Sequence, residues 1–279
     1  MKIFLLILCV SLCLFSCKKE QEAAGKLKVV TTIFPLYDFA REIGGDFVSI
    51  KMLASGHSYE PSPQDMIAIQ NADVFLFIGG ESDEWVKKIS DGIKFIDEHG
   101  EHEHDEHIWT SPKNAIEMAK KIAEAFSEKD SLNRDFYMKR SEEFSANLAA
   151  LDSTFTDIIQ SATHKTIVFG DRFPFEHFAE EYGLEHHAAF PGCSHETEPS
   201  AATVAFLIDK IKAEKIPVVF HIENSNENIA NAIAEATGAK KMLMHSVHNV
   251  SDTNESYLSL MKKNAETLKE ALSESRFGQ

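Results

Sequence analysis

The chain has 279 residues, room for one large domain or two lobes. Hydrophobic residues make up 43% and charged residues 26%, an ordinary globular balance that excludes disordered, collagenous and coiled-coil chains. The net charge is −16 and no basic block exceeds two residues, so a phosphate backbone would be repelled over most of the surface and nucleic acid is not an expected partner.

The first residues are Met1-Lys2, an apolar run from Ile3 to Phe15, and Ser16-Cys17-Lys18-Lys19. The run is too short to span a bilayer and has the charged start and small-residue end of a secretory signal. Its ending resembles a bacterial lipoprotein signal, which implies removal of residues 1–16, lipidation of Cys17 and an exported protein anchored to the cell membrane, facing the periplasm or outer surface. Residues 17–27 then form a polar tether. Cys193 is the one cysteine of the body, so no disulfide framework can be drawn there.

From residue 28, short β-branched and aromatic runs alternate with helical periods. Lys28–Phe34, Val48–Leu53 and Asp73–Ile78 read as strands and Tyr37–Ile43 as a helix. Thr110-Ser111-Pro112 starts another helix, with Ala115, Ala119, Ile122 and Phe126 on one face. Residues 132–162 lack Gly and Pro and carry Phe144, Leu148, Leu151, Phe155 and Ile158 at helical spacing. A helix of that length reaches roughly 45 Å, enough to cross a domain. Alternation then resumes, with strands at Thr166–Gly170, Val218–Ile222 and Lys241–His245 and helices at Ala201–Ala213, Asn226–Ala236 and Tyr257–Leu272. Gly238 stands where a helix C-cap is expected. The expected fold is α/β, with an N-terminal lobe (28–130), a rigid linking helix (131–162) and a C-terminal lobe (163–279).

Thirteen histidines make metal binding a natural question, because imidazole is a common zinc ligand. Residues 98–107 alternate imidazole and carboxylate. In a loop, His99, His102 and His104 would give weak, exchanging auxiliary sites, or simply a solvated surface. His107 closes this tract just before Ile108-Trp109, where packing pins the backbone; it reads equally as a ligand or as a satisfied buried histidine. His57 lies in a Gly- and Pro-flanked turn after a strand, and His245 ends a strand, both at carboxyl edges where α/β folds hold ligands. His221, inside a strand, reads as a packed core residue.

These motifs occur in a familiar order. GHSYEPSP at 56–63, the acidic His-rich loop, EHIWTSPKNA at 106–115, the connecting helix, EPS at 198–200 and SYLSLMKKNAETLKEAL at 256–272 together resemble the zinc/manganese branch of ABC-transporter substrate-binding proteins. The resemblance implies one metal ion held in the cleft between two lobes and delivered to a membrane permease by a monomeric carrier. It places ligands at His57 and His107, and a fourth at His245 with His248 as competitor. The family's third ligand would fall on Arg172, which cannot ligate; the adjacent Asp171 is the substitute. Three imidazoles and one carboxylate suit Zn²⁺, whereas Mn²⁺ favours more oxygen ligands. The alternatives are the same fold carrying Mn²⁺ or Fe²⁺, and an exported zinc hydrolase. The second lacks both the HExxH helix and the GxSxG elbow, so no enzyme activity is expected. A Gly- and Pro-free linker resists bending, so metal loss should mainly loosen the loops carrying His107 and His245.

Overall fold

The computed structural model describes residues 25–53, 59–80, 83, 85–86, 92–95, 105–190, 199–250 and 254–273. The N-terminal half holds β1 (Leu27–Thr31), α1 (Phe34–Gly44), β2 (Val48–Met52), α2 (Pro63–Gln70), β3 (Val74–Phe77), β4 (Ile93–Lys94) and α3 (Pro112–Lys129). Helix α4 (Arg134–Gln160) follows. The C-terminal half holds β5 (Thr166–Arg172), α5 (Glu176–Tyr182), β6 (Glu185–Phe190), α6 (Ala201–Glu214), β7 (Val218–His221), α7 (Asn228–Thr237), β8 (Lys240–Leu243) and α8 (Tyr257–Ser273).

Each half forms one parallel four-stranded sheet, ordered β2-β1-β3-β4 and β6-β5-β7-β8. Parallel strands are covered on both faces by their crossover helices and so read as continuous apolar runs, as Val74–Phe77 and Val218–His221 do, every residue of both being buried. In both sheets the chain steps from its first strand to one side and then crosses back to the other. That reversal opens a crevice at the carboxyl ends of β1 and β3, and another at those of β5 and β7, the place where open α/β sheets hold ligands.

The linking helix α4 has 27 residues, about 40 Å at 1.5 Å per residue. Its buried stripe is Tyr137, Ser141, Phe144, Leu148, Leu151, Phe155 and Ile159. Ile159 rather than Ile158 ends the stripe, the shift that 3.6 residues per turn imposes on a strict 4-3 spacing. Helix α1 starts earlier than the sequence periodicity indicates: Pro35 presets the first turn and draws Phe34 out of the preceding strand. Phe39 of α1 meets Phe144 of α4 and Tyr257 of α8 edge to face, at 5.1 and 4.9 Å between ring centroids. The buried Asp38 carboxylate accepts the Tyr257 backbone N–H at 2.7 Å, placing a negative group at the N-terminus of α8. One apolar cluster therefore runs from Val29 and Phe39 through α4 to Phe169 and Tyr257, tying the two halves to a common helix.

Gly170 and Gly238 carry two of the glycine effects that shape the second half. A Cβ on Gly170 would stand 2.4 Å from the Ala230 Cα, so only glycine lets α7 lie against β5. Gly238 has φ 71° and closes α7 in the left-handed conformation that favours glycine, as its place in the sequence indicates.

Candidate metal centre

His107 sits at the entrance to a short 3₁₀ turn, Ile108–Thr110, that leads into α3. Its carbonyl accepts the Thr110 backbone N–H at 3.1 Å and hydroxyl at 2.8 Å, and Ser111 then caps α3 through Asn114 N–H. The imidazole is 2% exposed. Asp105 Oδ1 lies 2.6 Å from His107 Nδ1 and accepts the His107 backbone N–H at 2.9 Å. Burial alone would raise the Asp105 carboxyl; the side-chain and backbone hydrogen bonds from His107 help to outweigh it and hold Asp105 below the usual carboxylate range. The Asp105 carbonyl oxygen is 3.0 Å from Nε2 of His177, which comes from α5 in the other half.

His248 approaches from the loop after β8. Its ring lies 6.0 Å from that of His107 and 5.4 Å, nearly perpendicular, from that of Trp109. Two imidazoles sharing one tetrahedral zinc ion, with Zn–N near 2.0–2.1 Å, have ring centroids about 5 Å apart. The observed pair is therefore close to that spacing. The loop is braced on every side: Trp109 Nε1–H donates to the Ser246 carbonyl at 2.9 Å, and the Ser246 N–H and hydroxyl donate to Glu223 at 2.7 and 2.5 Å. The Ser246 hydroxyl oxygen accepts the His248 N–H at 3.2 Å, and the His248 carbonyl accepts Phe34 N–H at 3.4 Å. Between Ser246 and His248, Val247 has φ 61°. A β-branched residue in the left-handed region is strained by about 1–3 kcal/mol and persists only where its neighbours are over-determined, a condition concentrated at functional sites.

His245 stands two residues beyond the end of β8, which stops at Leu243 rather than running on to it. The fully buried Asn264 side chain accepts His245 N–H at 2.7 Å and donates to its carbonyl at 2.8 Å. Burial lowers the His245 imidazole below its ordinary value, Lys263 and His221 add to this, and Glu223 and Glu255 oppose it. Asp171, 4% exposed, bridges the carboxyl ends of β5 and β7: Oδ1 accepts Arg172 N–H at 2.8 Å and Oδ2 accepts Ile222 N–H at 3.1 Å. With Arg172, Phe190 and Glu227 it lines a cavity of ≈ 450 Å³. His221 is the buried last residue of β7.

Of the ligands expected from the sequence, His57 lies outside the described residues, as do His99, His102, His104 and Cys17. Among the described residues no three His, Cys, Asp or Glu side chains are grouped to hold a metal ion, so His107, Asp171 and His245 are not gathered into one cage. The structure brings together His107 and His248. Sequence reading does not single out Asp105 or Asn264, and it offers Glu223 only as a candidate base for the hydrolase alternative; the one signal for Asp105 is a carboxylate two residues before a pinned histidine, hidden in an acidic tract.

Asp83 belongs to the N-terminal crevice. Its Oδ2 accepts the N–H groups of Ile78 at 2.8 Å and Gly79 at 3.1 Å. Burial pushes its carboxyl up from 3.8 to about 6; Glu106 adds to this and the two backbone bonds oppose it. Well below pH 3.8 the group is protonated whether the chain is folded or not. As pH rises to about 6, the unfolded chain ionises first, so the folded state loses about 3 kcal/mol. Asp83→Asn is expected to remove this loss, giving a zinc-free protein more stable than wild type at pH 7.5 and little changed at pH 4. Parallel melting curves at the two pH values check it, and equal pH dependence in the two proteins would exclude the titration of Asp83 as its source.

The model of the family described as the periplasmic zinc-uptake complex component A matches residues 29–271. The chain belongs to this family. The high-affinity zinc uptake system protein ZnuA of Bacillus subtilis is 30% identical over 293 residues, covering 92% of this chain and 91% of that protein. The zinc-binding lipoprotein AdcA of Streptococcus pneumoniae serotype 4 is 29% identical across 95% of this chain, which spans 60% of AdcA's length. The Zn(II)-bound ZnuA-like domain of that species' AdcA superposes with a TM-score of 0.78 at 29% identity, over 90% of this chain and all of the domain. The two-sheet architecture with its long helix is thus that of the zinc-uptake component A family.

Proposed function

We propose that the chain is the extracytoplasmic solute-binding component of a zinc ABC transporter, capturing one Zn²⁺ between its two halves and delivering it to a membrane permease. The observation that carries this reading is the His107–His248 pair, two buried imidazoles from opposite halves of the chain at a separation one zinc ion can bridge. His57, which follows β2 in the sequence, is the third imidazole of the proposed set. Neither His245 nor Asp171 completes a three-ligand group with the pair among the described residues, and their single variants rank them. An imidazole-rich set favours Zn²⁺ over Mn²⁺. The zinc-uptake and zinc-binding names of the relatives support transport over hydrolysis. The protein acts as a monomer outside the cytoplasm, held to the membrane through a lipid on Cys17.

Metal content and competition titration of residues 18–279 test this reading, run beside a variant lacking residues 99–105 and the double variant His107→Ala, His248→Ala. One tight zinc ion that survives the loop deletion and is lost in the double variant is expected. Zinc held only through the loop, or manganese preferred to zinc, would overturn it. Because imidazole binds metal only when neutral, affinity is also expected to fall steadily from pH 7.5 to 5, and a flat profile would exclude a histidine-dominated site.

A further inference from the structure

We infer that Asp105 is a positioning residue for metal capture: its carboxylate fixes the tautomer of His107 so that Nε2 carries the lone pair presented to the ion. The inference rests on His107 being a ligand, as proposed above. A neutral imidazole has one donor and one acceptor nitrogen, and the hydrogen bond made by one nitrogen decides which role the other takes. Asp105 Oδ1 lies 2.6 Å from His107 Nδ1. An ionised carboxylate only accepts, so Nδ1 carries the hydrogen and Nε2 is free of one. The same oxygen accepts the His107 backbone N–H at 2.9 Å, which locks the side chain of Asp105 to the peptide of the residue it orients. The Asp105 backbone is held in turn from the opposite half, where His177 Nε2 lies 3.0 Å from its carbonyl oxygen. The carboxylate is only 13% exposed, so water does not dilute the interaction.

A turn-forming role alone would leave other marks. An aspartate that merely closes a local turn onto the N–H two residues ahead is replaced without loss by asparagine, and it has no need to reach the imidazole. Here the shorter of the two contacts is the one to the ring. A carboxylate behind a ligating imidazole also raises its basicity and so strengthens the metal bond, and removing such a partner costs 10–100-fold in metal affinity.

Asp105→Ala and Asp105→Asn, compared with wild type and with His107→Ala, test the inference. Nitrogen NMR of the zinc-free protein should show Nδ1 of His107 protonated in wild type and in Asp105→Asn, whose amide oxygen still accepts. In Asp105→Ala the two tautomers should mix. Zinc affinity should drop about 10–100-fold in Asp105→Ala and be partly restored in Asp105→Asn. An unchanged His107 tautomer in Asp105→Ala, or a zinc affinity within twofold of wild type, would overturn the role. Should His107→Ala bind zinc as tightly as wild type, the ligand assignment itself falls, and the tautomer shift in Asp105→Ala then reports a hydrogen bond with no part in capture.

Discussion

Replacing His248 with phenylalanine is expected to weaken zinc binding by at least about 100-fold while leaving the zinc-free fold intact. Phenylalanine keeps a flat ring against Trp109, which His248 meets edge to face at 5.4 Å, but offers no lone pair. The loop itself does not depend on the imidazole, since the Ser246 hydroxyl, the Phe34 N–H and the Trp109 indole hold it through its backbone. Loss of a ligand exceeds the effect of losing the group behind it, for which 10–100-fold is usual. By mass action, a hundredfold weaker site at saturating zinc forfeits about 2.7 kcal/mol of zinc-induced stabilisation. Calorimetric melting with and without zinc therefore reads the effect without an activity assay. His245→Ala is the control: its ring is half-buried, and its backbone is held by Asn264 whatever the side chain. Wild-type zinc affinity in His248→Phe, together with its loss in His245→Ala, would return the fourth ligand to His245.

The contrast between these two histidines shows what the sequence could and could not disclose. Met242-Leu243-Met244-His245 reads as one strand because the apolar run continues, yet β8 ends at Leu243. The backbone then turns through a left-handed Val247, a conformation that residue type disfavours and no propensity would propose. Position along the loop is set there by Trp109, far away in sequence, and by Glu223. Strand β6 was missed for a related reason. Glu185-His186-His187 lacks apolar alternation, and its place at the edge of the sheet is fixed by the parallel register with Thr166–Val168. The seven-residue α5 is too short to show a period. By contrast, the linking helix, the cap at Gly238 and the pinned backbone of His107 were legible, because each rests on local chemistry: uninterrupted helix formers, a glycine-only φ, and a histidine leading into a capped helix.

Trp109→Ala is expected to lower stability by about 3–5 kcal/mol, the usual cost of removing a fully buried large aromatic ring. The residue does more than fill space. Its indole donates to the Ser246 carbonyl, and its own carbonyl accepts the Tyr257 hydroxyl at 2.6 Å, so one side chain and one peptide unit of the first half bind two segments of the second. Both histidines of the pair also pack on the indole, His107 at 5.1 Å and His248 at 5.4 Å, which makes it the wall that sets their separation. Trp109→Phe separates these contributions. It retains most of the packing and the peptide contact to Tyr257 but removes the N–H, leaving the buried Ser246 carbonyl without that donor at a cost of about 1–3 kcal/mol. Chemical denaturation of both zinc-free variants gives the two values. If Trp109→Phe is as stable as wild type, the indole bond does not hold the His248 loop, and the Glu223 and Phe34 bonds alone keep it in place. If instead it loses the expected 1–3 kcal/mol and weakens zinc binding with it, the tryptophan is what ties the register of the two halves to the spacing of the ligand pair.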